Sequence, residues 1–539
     1  MRLSRRTRLA GVGLVAAGSL VLAACGGGGG DEGSDDNVIS VYSTEPQNPL
    51  IPTATNEVGG GNVIDQMFAG LVYYTNEGEA ENEVAESIET DDNQTYTITL
   101  KDWEFSDGTP VTADSFVDAW NFGALSTNAQ LNSYFFEPIE GYADVAAENP
   151  EAETMSGLEV VDEKTFTVTL TQPEADFPER LGYSAYFPLP ESAFDDMEAF
   201  GEAPISNGPY KLAESGWEHN ERITLVPNET YEGAREPQNE GLEFRMYTNP
   251  DGAYSDIQAG TLDLMDQVPP SALGTYQDDN QIQAVSQPGS SFASITIPER
   301  LPGFGNDEEG QLRRQAISKA INREEITESI FEGSRTPAVD FSSPVLPGFN
   351  DTIEGAEVLD FDATEAQELW AQADAIAPFE GSFAIAYNAD GPGNKEWVEA
   401  TVNQLRNNLE IDAQPQEYAT FDELRSDVTD RSIETAFRTG WQADYPSIYN
   451  YLAPLYATGA GSNDGDYSSE EFDGLLKEAA GTEDIDERYT LYSEAQAVLM
   501  QDLPAIPLWY TDVAAAAATG VENVTFNWKN RPVLHEASK

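Results

Sequence analysis

The chain has 539 residues, of which 96 are acidic and 27 are basic, so that its formal net charge is −69. Repulsion at this charge excludes nucleic acid and general adsorption to anionic lipid as modes of action. We interpret the acid excess as a device for solubility in a salty or crowded exterior, and it does not indicate the charge of a ligand. The length exceeds one hydrophobic core and predicts about three domains.

The first 24 residues have the pattern of an export signal. Four arginines precede a short apolar run that ends in small residues, too short and wrongly flanked for a membrane span. The segment "LAAC", residues 22–25, resembles a bacterial lipobox, which implies cleavage before Cys25 and lipid on its sulfur. Because Cys25 is the only cysteine, no disulfide can form within the chain, and a lipid anchor explains it better than a leftover thiol.

The segment after Cys25 predicts a flexible tether. Residues 26–37, "GGGGGDEGSDDN", contain no apolar side chain and cannot pack, and their reach is roughly 20 Å. Removal of residues 1–24 leaves 23 basic residues against 96 acids, a net charge of −73. We therefore expect a folded body that begins near Val38 and is anchored by lipid to the outer face of the bacterial cytoplasmic membrane.

Two segments in the first third of the body predict neighbouring strands. "TYTITL" at 95–100 and "TFTVTL" at 165–170 both alternate apolar side chains with threonine. A period of two with β-branched partners is typical of half-buried strands. We assign both strands to one mixed or antiparallel sheet in a small α/β subdomain, residues 71–185.

The rest of the body predicts mixed α/β structure. Apolar residues at helical spacing predict a helix over 311–321, a second that starts at Asn322 and stops at Gly333, and a third over 396–409. A capping pair at Asp484 predicts a further helix near the end, and "PAIPLWY" at 504–510 predicts a buried strand. Helices that alternate with strands indicate α/β lobes.

Six segments in a fixed order carry a family resemblance. Together they are similar to the peptide- and oligopeptide-binding lipoproteins of ABC importers (solute-binding protein family 5), over nearly the whole mature chain. Relatives of this shape bind dipeptides, longer peptides, nickel complexes, haem or oligosaccharides, so the ligand stays open, as does a role as a peptide-signal receptor. The segments are "LKDWEFSDGTPVTADSFVDAW" (100–120), "PISNGPYKL" (204–212), "ERITLVPNETY" (221–231), "RRQAISKAINREEI" (313–326), "GWQADYPSIYNYL" (440–452) and "DYSSEEFDGLL" (466–476).

The resemblance implies a two-lobed α/β fold of the periplasmic-binding-protein type II, with an extra small domain and a two-strand hinge. Lobe I would be discontinuous and lobe II continuous, with ligand held in the cleft between them. The expected partners are a peptide ligand and the permease and ATPase subunits of an ABC importer, with the protein itself a monomer. Lobe I is expected at 38–70, 186–290 and 500–539, and lobe II at 291–499.

The motif "GWQAD" implies the main ligand contact. In the family the acid of this motif pairs with the α-ammonium of the ligand, which implies that role for Asp444, although aspartate also caps turns before a proline. Trp441 would offer a flat wall to ligand side chains, or it is an ordinary core tryptophan. The backbones of Gly440, Trp441 and Gln442 would bond to the peptide.

Three further residues are weaker ligand candidates. Arg438 matches a position that takes the peptide carboxylate in some oligopeptide binders, but a structural ion pair is an alternative use in so acidic a chain. Glu45 lies in a segment that resembles the family's early cleft edge without its usual aspartate. Phe292 follows the first crossing between lobes and faces either the cleft or the core. "SNGPY" at 206–210 predicts a structural turn.

The sequence gives no specific indication of an enzyme. Only His219 and His535 exist, and no G-x-S-x-G, H-E-x-x-H, P-loop or cysteine nucleophile is present. Carboxylate pairs are too numerous among 96 acids to identify a glycosidase-like site. No cofactor and no metal is predicted, because the acids at 463–466 lack calcium-loop spacing and are expected to form a solvated loop.

Overall fold

A computed structural model describes residues 37–389, 391 and 393–539. The predicted signal peptide, Cys25 and all of the predicted tether except Asn37 lie outside the described residues. Among the residues that are described, no helix has the length and apolar character that a membrane crossing requires.

The described chain is mixed α/β, as the sequence pattern predicts. The strands are β1 (Val38–Ser43), β2 (Val72–Tyr74), β3 (Ala80–Asn82), β4 (Ala85–Thr90), β5 (Thr95–Leu100), β6 (Leu158–Asp162), β7 (Thr165–Thr169), β8 (Tyr210–Glu218), β9 (Arg222–Pro227), β10 (Gly241–Met246), β11 (Leu264–Met265), β12 (Ile282–Thr296), β13 (Arg335–Pro337), β14 (Phe383–Asn388), β15 (Ala413–Tyr418), β16 (Ala436–Gln442) and β17 (Ala505–Ala518). The helices are α1 (Val58–Met67), α2 (Ala113–Ala124), α3 (Tyr142–Val145), α4 (Phe177–Arg180), α5 (Met197–Glu202), α6 (Pro250–Ala259), α7 (Glu308–Lys319), α8 (Arg323–Ser329), α9 (Ala363–Ile376), α10 (Asn394–Leu409), α11 (Phe421–Thr429), α12 (Tyr449–Tyr456), α13 (Glu470–Ala480) and α14 (Ile485–Asp502). Strands and helices do not alternate everywhere, since β2–β5, β8–β10 and α12–α14 follow one another without alternation.

One mixed sheet runs through both lobes. Its strand order is β15-β14-β16-β12-β17-β11-β1-β10-β9-β8, and β13 pairs with β17. β1 pairs with β10 and β14 pairs with β15 in parallel, whereas β12 and β17 are antiparallel. The lobes have separate hydrophobic cores, one built mainly from residues before 265 and the others mainly from residues 292–510.

β12 and β17 carry the sheet from one lobe to the other. Residues 282–287 pair with 513–518 beside β11, and residues 291–296 pair with 505–511 beside β16. The register shifts between Gln287 and Ser291. The crossing predicted near 290 falls within this ladder, whereas residue 500 lies in α14 and the second strand of the ladder begins at Ala505. The exact domain limits stay a prediction.

Gly289 lies within the register shift between β12 and β17, and its substitution by alanine tests how tightly this part of the ladder is packed. A Cβ there would stand 2.3 Å from the backbone oxygen of Thr511 and 2.5 Å from the Asn530 amide nitrogen. We expect Gly289→Ala to lower the free energy of unfolding by about 1–3 kcal/mol, because backbone must move to admit the methyl group. Urea denaturation followed by circular dichroism measures it.

Gly474 provides the matched control for that substitution. It lies inside α13, and a Cβ added there would have no described atom within 4 Å. Gly474→Ala should be neutral or stabilising by about 0.5–1 kcal/mol, as for any exposed helix interior. Equal effects of the two substitutions would contradict the close packing at Gly289.

The small subdomain contains the two strands predicted from their shared alternation. β5 and β7 are antiparallel neighbours in the order β4-β5-β7-β6, with Ile98 opposite Phe166. Both side chains are fully buried, and Phe166 packs edge-on against the equally buried Trp120 of α2 at 5.7 Å between centroids. The two strands share one sheet, as predicted, and of the two predicted kinds, mixed or antiparallel, it is antiparallel.

All four predicted helices are confirmed, and the one predicted over 396–409 is α10, which begins two residues earlier. α7 begins at Glu308 because the Asp307 side chain accepts from the backbone N–H of Gly310 at 3.0 Å. Asn322 caps α8 through Glu325, as predicted, but α8 ends at Ser329 and not at Gly333. α14 begins after Asp484, whose side chain accepts from the Glu487 backbone.

Candidate functional site

A cavity of about 290 Å³ lies at the interlobe cleft. Lobe I contributes α1, the neighbouring residues 55–57 and the C-terminal residues 527–529 and 531–535, and the small subdomain contributes residues 72–74 and 182–184. Among its described residues, lobe II contributes Gln442, Ala443 and Asp444, at and just after the end of β16. We call this the interlobe cavity. Its volume is at the low end of small-molecule sites.

Asp444 is a half-buried wall residue of the interlobe cavity. Its backbone N–H donates to Asn450 Oδ1 at 3.1 Å, and its Oδ2 accepts from Asn450 Nδ2 at 3.4 Å. Burial raises the pKa of Asp444, against the attraction of the Lys529 ammonium and the hydrogen bond from Asn450. The other carboxylate oxygen accepts no hydrogen bond from the described residues, so it is available to a donor on a ligand.

Two largely buried ion pairs hold the side of the interlobe cavity that faces lobe II. Arg235 Nη2 contacts Glu83 Oε2 at 3.1 Å, and its guanidinium also donates to the backbone oxygens of Asp65 and Phe68 at 2.7 and 2.9 Å. This arrangement ties down the C-terminal end of α1. Arg531 Nη1 contacts Asp266 Oδ2 at 3.1 Å.

Sequence reasoning missed Asp65, Tyr183 and Lys529, all of which line the interlobe cavity. Lys529 Nζ lies 4.8 Å from the centroid of the Tyr183 ring and 3.3 Å from the backbone oxygen of Asp444. The one available signal was "NWKNR" at 527–531, a pair of basic residues in a chain that has few.

The other residues of the "GWQAD" motif divide between two cavities. Gln442 lines the interlobe cavity, and its Nε2 donates to Ser290 Oγ at 3.2 Å. Gly440 and Trp441 line a smaller cavity of about 20 Å³ instead. Phe292 borders the same small cavity but is 2% exposed and belongs to the lobe II core.

Arg438 and Glu45 do not line the interlobe cavity. Arg438 Nε donates to Asn388 Oδ1 at 2.8 Å, and its guanidinium lies 5.2 Å from the Phe421 ring. Glu45 pairs with His219 Nδ1 at 2.9 Å on the surface of lobe I. Their roles as ligand contacts stay predictions.

Two aromatic residues next to Asp444 in sequence pack against a cation of the small subdomain. The guanidinium of Arg180 lies 5.3 Å from the Tyr445 ring and 5.8 Å from the Tyr449 ring, and it pairs with Glu174 at 2.7 Å. Part of the aromatic cluster around Asp444 therefore forms a contact between the small subdomain and lobe II. Neighbouring side chains in this segment point in different directions, so Tyr445 and Tyr449 pack against Arg180 whereas Asp444 lines the interlobe cavity.

His535 lines the interlobe cavity, and we expect it to make the stability of the fold sensitive to acid. Burial, and then the nearby Arg235 cation, lower the pKa of His535 to about 4. In the unfolded chain this histidine is protonated below about pH 6.5. Between pH 6.5 and 4 the unfolded state therefore binds more protons than the folded state, and the free energy of unfolding decreases as the pH is lowered. By pH 5 the loss is about 2 kcal/mol. We expect His535→Gln to show a smaller drop in the urea midpoint between pH 7.5 and 5.

His219 serves as the control because its shift has the opposite sign. It is exposed, and hydrogen bonds to Glu45 and Glu202 raise its pKa. Its contribution is present below pH 6.5 and is lost as pH rises through the raised pKa, so His219→Gln should make the acid drop slightly steeper. Identical pH profiles for wild type and His535→Gln would contradict the burial of a neutral imidazole.

The acidic loop at 463–466 is not the solvated loop that the sequence predicts. Asp464 is buried and pairs with Arg425 at 2.5 Å and Arg431 at 3.0 Å, and Asp466 pairs with Arg300 at 2.6 Å. The prediction was wrong because distant arginines fold onto it. In the described part of the chain, no three His, Cys, Asp or Glu side chains form a group that could hold a metal ion.

The chain is similar in sequence and in fold to known solute-binding proteins. The chain is 28% identical over 521 residues to the oligopeptide-binding protein OppA of Bacillus subtilis, covering 92% of each chain, and 27% identical over 524 residues to heme-binding protein A of Haemophilus influenzae, also covering 92% of each. Among solved structures, the murein tripeptide-binding protein MppA of Escherichia coli in its unliganded open form matches with a TM-score of 0.81 at 21% identity, over 94% of this chain and 98% of MppA.

These likenesses confirm the two-lobed α/β fold, and the class of protein is an extracytoplasmic solute-binding protein. Residues 79–463 match the family model described as "Bacterial extracellular solute-binding proteins, family 5 Middle". The chain therefore belongs to that family.

Proposed function

We propose that this protein captures peptides by their free amino terminus in the interlobe cavity and delivers them to an ABC permease for import. The observation that carries the proposal is the Asp444 carboxylate, which is desolvated on the cavity wall and keeps one oxygen without a donor from the described residues. An ammonium group that leaves water needs an opposite charge, and charge-assisted hydrogen bonds are stronger than neutral ones. The oligopeptide- and tripeptide-binding relatives support the same ligand class.

The edge of β16 offers a place for the peptide backbone. β14 pairs with β16 only at Ala436 and Phe437, whereas β12 pairs along Phe437 to Gln442. Residues 439–442 therefore have no strand neighbour on the β14 side within the described chain. An extended peptide whose amino terminus reaches Asp444 can add there as a strand, with the backbones of Gly440, Trp441 and Gln442 as partners.

Calorimetric titration tests the ligand class. We expect wild type to bind tri-alanine strongly and N-acetyl-tri-alanine weakly, because acetylation removes the ammonium that Asp444 would pair with. Haem and maltotriose serve as probes for the non-peptide ligands that relatives of this shape bind. Equal binding of the free and acetylated peptides, or binding of haem alone, overturns the proposal. Recovery of intact peptide after incubation is expected of a binder that has no hydrolase activity.

We further propose that the mature protein is a monomer held at the membrane by lipid on Cys25. The support is the "LAAC" segment followed by a glycine-rich stretch of 26–37. Cys25→Ser should move the protein from the membrane to the soluble fraction of disrupted cells, because stable attachment depends on the acyl chains. Unchanged attachment that resists high salt contradicts it.

A further inference from the structure

Three of the charged side chains that line the interlobe cavity are already paired with an opposite charge, and a fourth, Glu57, is held by backbone groups. Arg235 pairs with Glu83, and Arg531 pairs with Asp266. The Glu57 carboxylate accepts the backbone N–H of Gly60 at the start of α1, at 3.0 Å, and the backbone N–H of Gln47 at 3.2 Å.

Four lining side chains remain without a contact-distance ion pair to any described residue: Glu57, Asp65, Asp444 and Lys529. Glu57 is held at the start of α1 by backbone N–H groups, which leaves Asp65, Asp444 and Lys529 as a group with two carboxylates and one ammonium. The two carboxylates stand on opposite lobes, Asp65 on α1 of lobe I and Asp444 after β16 of lobe II.

The Lys529 ammonium lies within electrostatic reach of both carboxylates. Burial lowers the pKa of Lys529, while first Asp65 and then Asp444 raise it. In return, the Lys529 cation is the largest influence that opposes the burial-driven rise in the pKa of Asp65 and of Asp444. Its nitrogen donates to the Asp444 backbone at 3.3 Å and lies over the face of the Tyr183 ring. A lysine on a flexible four-carbon stem can shift between two such partners.

We propose that Lys529 is an internal cation that competes with the ligand's ammonium for Asp444, and that Asp65 is the carboxylate that retains Lys529 when the ligand binds. The inference rests on the proposed function for the identity of the ligand, but the charge balance among the three side chains does not depend on it. With Lys529 paired to Asp65, one ammonium on the ligand neutralises Asp444 and leaves these three side chains and the ligand group without net charge. This part of the cavity wall therefore selects ligands that bring a single ammonium to it.

The three-way balance makes opposite predictions for two substitutions. Lys529→Met removes the competitor and keeps the bulk of the side chain, so tri-alanine should bind about tenfold to a hundredfold more tightly. Asp65→Asn leaves Lys529 with Asp444 as its remaining carboxylate partner, so tri-alanine should bind about tenfold more weakly. Because Asp65 acts on the ligand through Lys529, the double variant should bind tri-alanine about as tightly as Lys529→Met does. A gain in affinity cannot come from misfolding, which keeps the test decisive.

Lys477→Met is the matched control, because Lys477 is exposed on α13 and does not line the interlobe cavity. It changes net charge equally and should leave the affinity unchanged. Weaker binding of tri-alanine by Lys529→Met would mean that Lys529 contacts an anionic group of the ligand, and unchanged binding would mean that it does not compete. Either result overturns the inference.

A second measurement needs no ligand and separates the inference from the proposed function. The urea midpoints of wild type, Lys529→Met, Asp65→Asn and the double variant at pH 8 form a double-mutant cycle. Lys529→Met should lower the midpoint, because Asp65 and Asp444 both lose the cation that acts on them, and adding Asp65→Asn should restore part of it. If tri-alanine fails to bind wild type, the proposed peptide ligand is wrong and this cycle decides the inference. Additive effects in the cycle overturn it.

Discussion

Asp444→Asn is expected to weaken the binding of tri-alanine by about 30-fold to several thousand-fold. The substitution keeps the shape of the side chain and removes the charge that pairs with the ammonium. Leaving one member of a buried charged pair unmatched costs roughly 2–5 kcal/mol, which sets that range. Calorimetric titration of the free and N-acetylated peptide against both proteins measures the effect, and Asp444→Asn should no longer prefer the free amine.

The control for this substitution is Asp278→Asn. Asp278 is exposed and does not line the interlobe cavity, and its replacement removes the same charge. We expect its affinity for tri-alanine to match wild type. If Asp444→Asn keeps the preference for the free amine while circular dichroism reports a native fold, another group recognises the ligand, and Asp65 is the next carboxylate to test.

Arg235→Met is expected to lower the free energy of unfolding by about 3–5 kcal/mol. The side chain of Glu83 is 1% exposed, so the substitution leaves a buried carboxylate without its cation, which is the costly way to break such a pair. It also leaves the backbone oxygens of Asp65 and Phe68 without the donors they have now. Urea denaturation measures the loss.

Two further variants show whether the loss of stability in Arg235→Met comes from the buried ion pair. Glu83→Gln combined with Arg235→Met should be less destabilised than the sum of the single variants, because the unmatched carboxylate is then absent. Arg222→Met breaks a pair to Glu218 whose side chains are 42% and 40% exposed, and it should cost no more than about 1 kcal/mol. Equal costs for Arg235→Met and Arg222→Met would contradict a buried, structure-holding role for Arg235.

Local rules of sequence were sufficient where a feature depends on a few neighbouring residues. The alternation in "TYTITL" and "TFTVTL" identified β5 and β7, because alternate side chains of a strand face opposite sides of a sheet. The caps at Asn322 and Asp484 located helix starts, because a side-chain acceptor there satisfies a free backbone N–H. Ordered family motifs predicted the two-lobed fold and the family.

Some elements followed the tertiary context against local preference. The alanine run at 514–518 favours helix by propensity, yet it continues β17 to Ala518. Its neighbours in the sheet are β12 on one side and β11 on the other, so burial and pairing in a central strand outweigh propensity. The sequence predicted this strand only over 504–510.

For the candidate site, too, part follows from the sequence and part only from the tertiary structure. The sequence by itself determined the class of protein and singled out Asp444, since motif order and a short local pattern are properties of the chain. Only the tertiary structure brought Asp65, Tyr183 and Lys529, which are hundreds of residues apart, to the same cavity. It also turned Tyr445 and Tyr449 toward Arg180 and gave Asp464 its arginine partners. The physical reason is that ion pairs and cavity walls depend on distance in space, which a chain sets through its sheet order and long-range packing and not through spacing along the sequence.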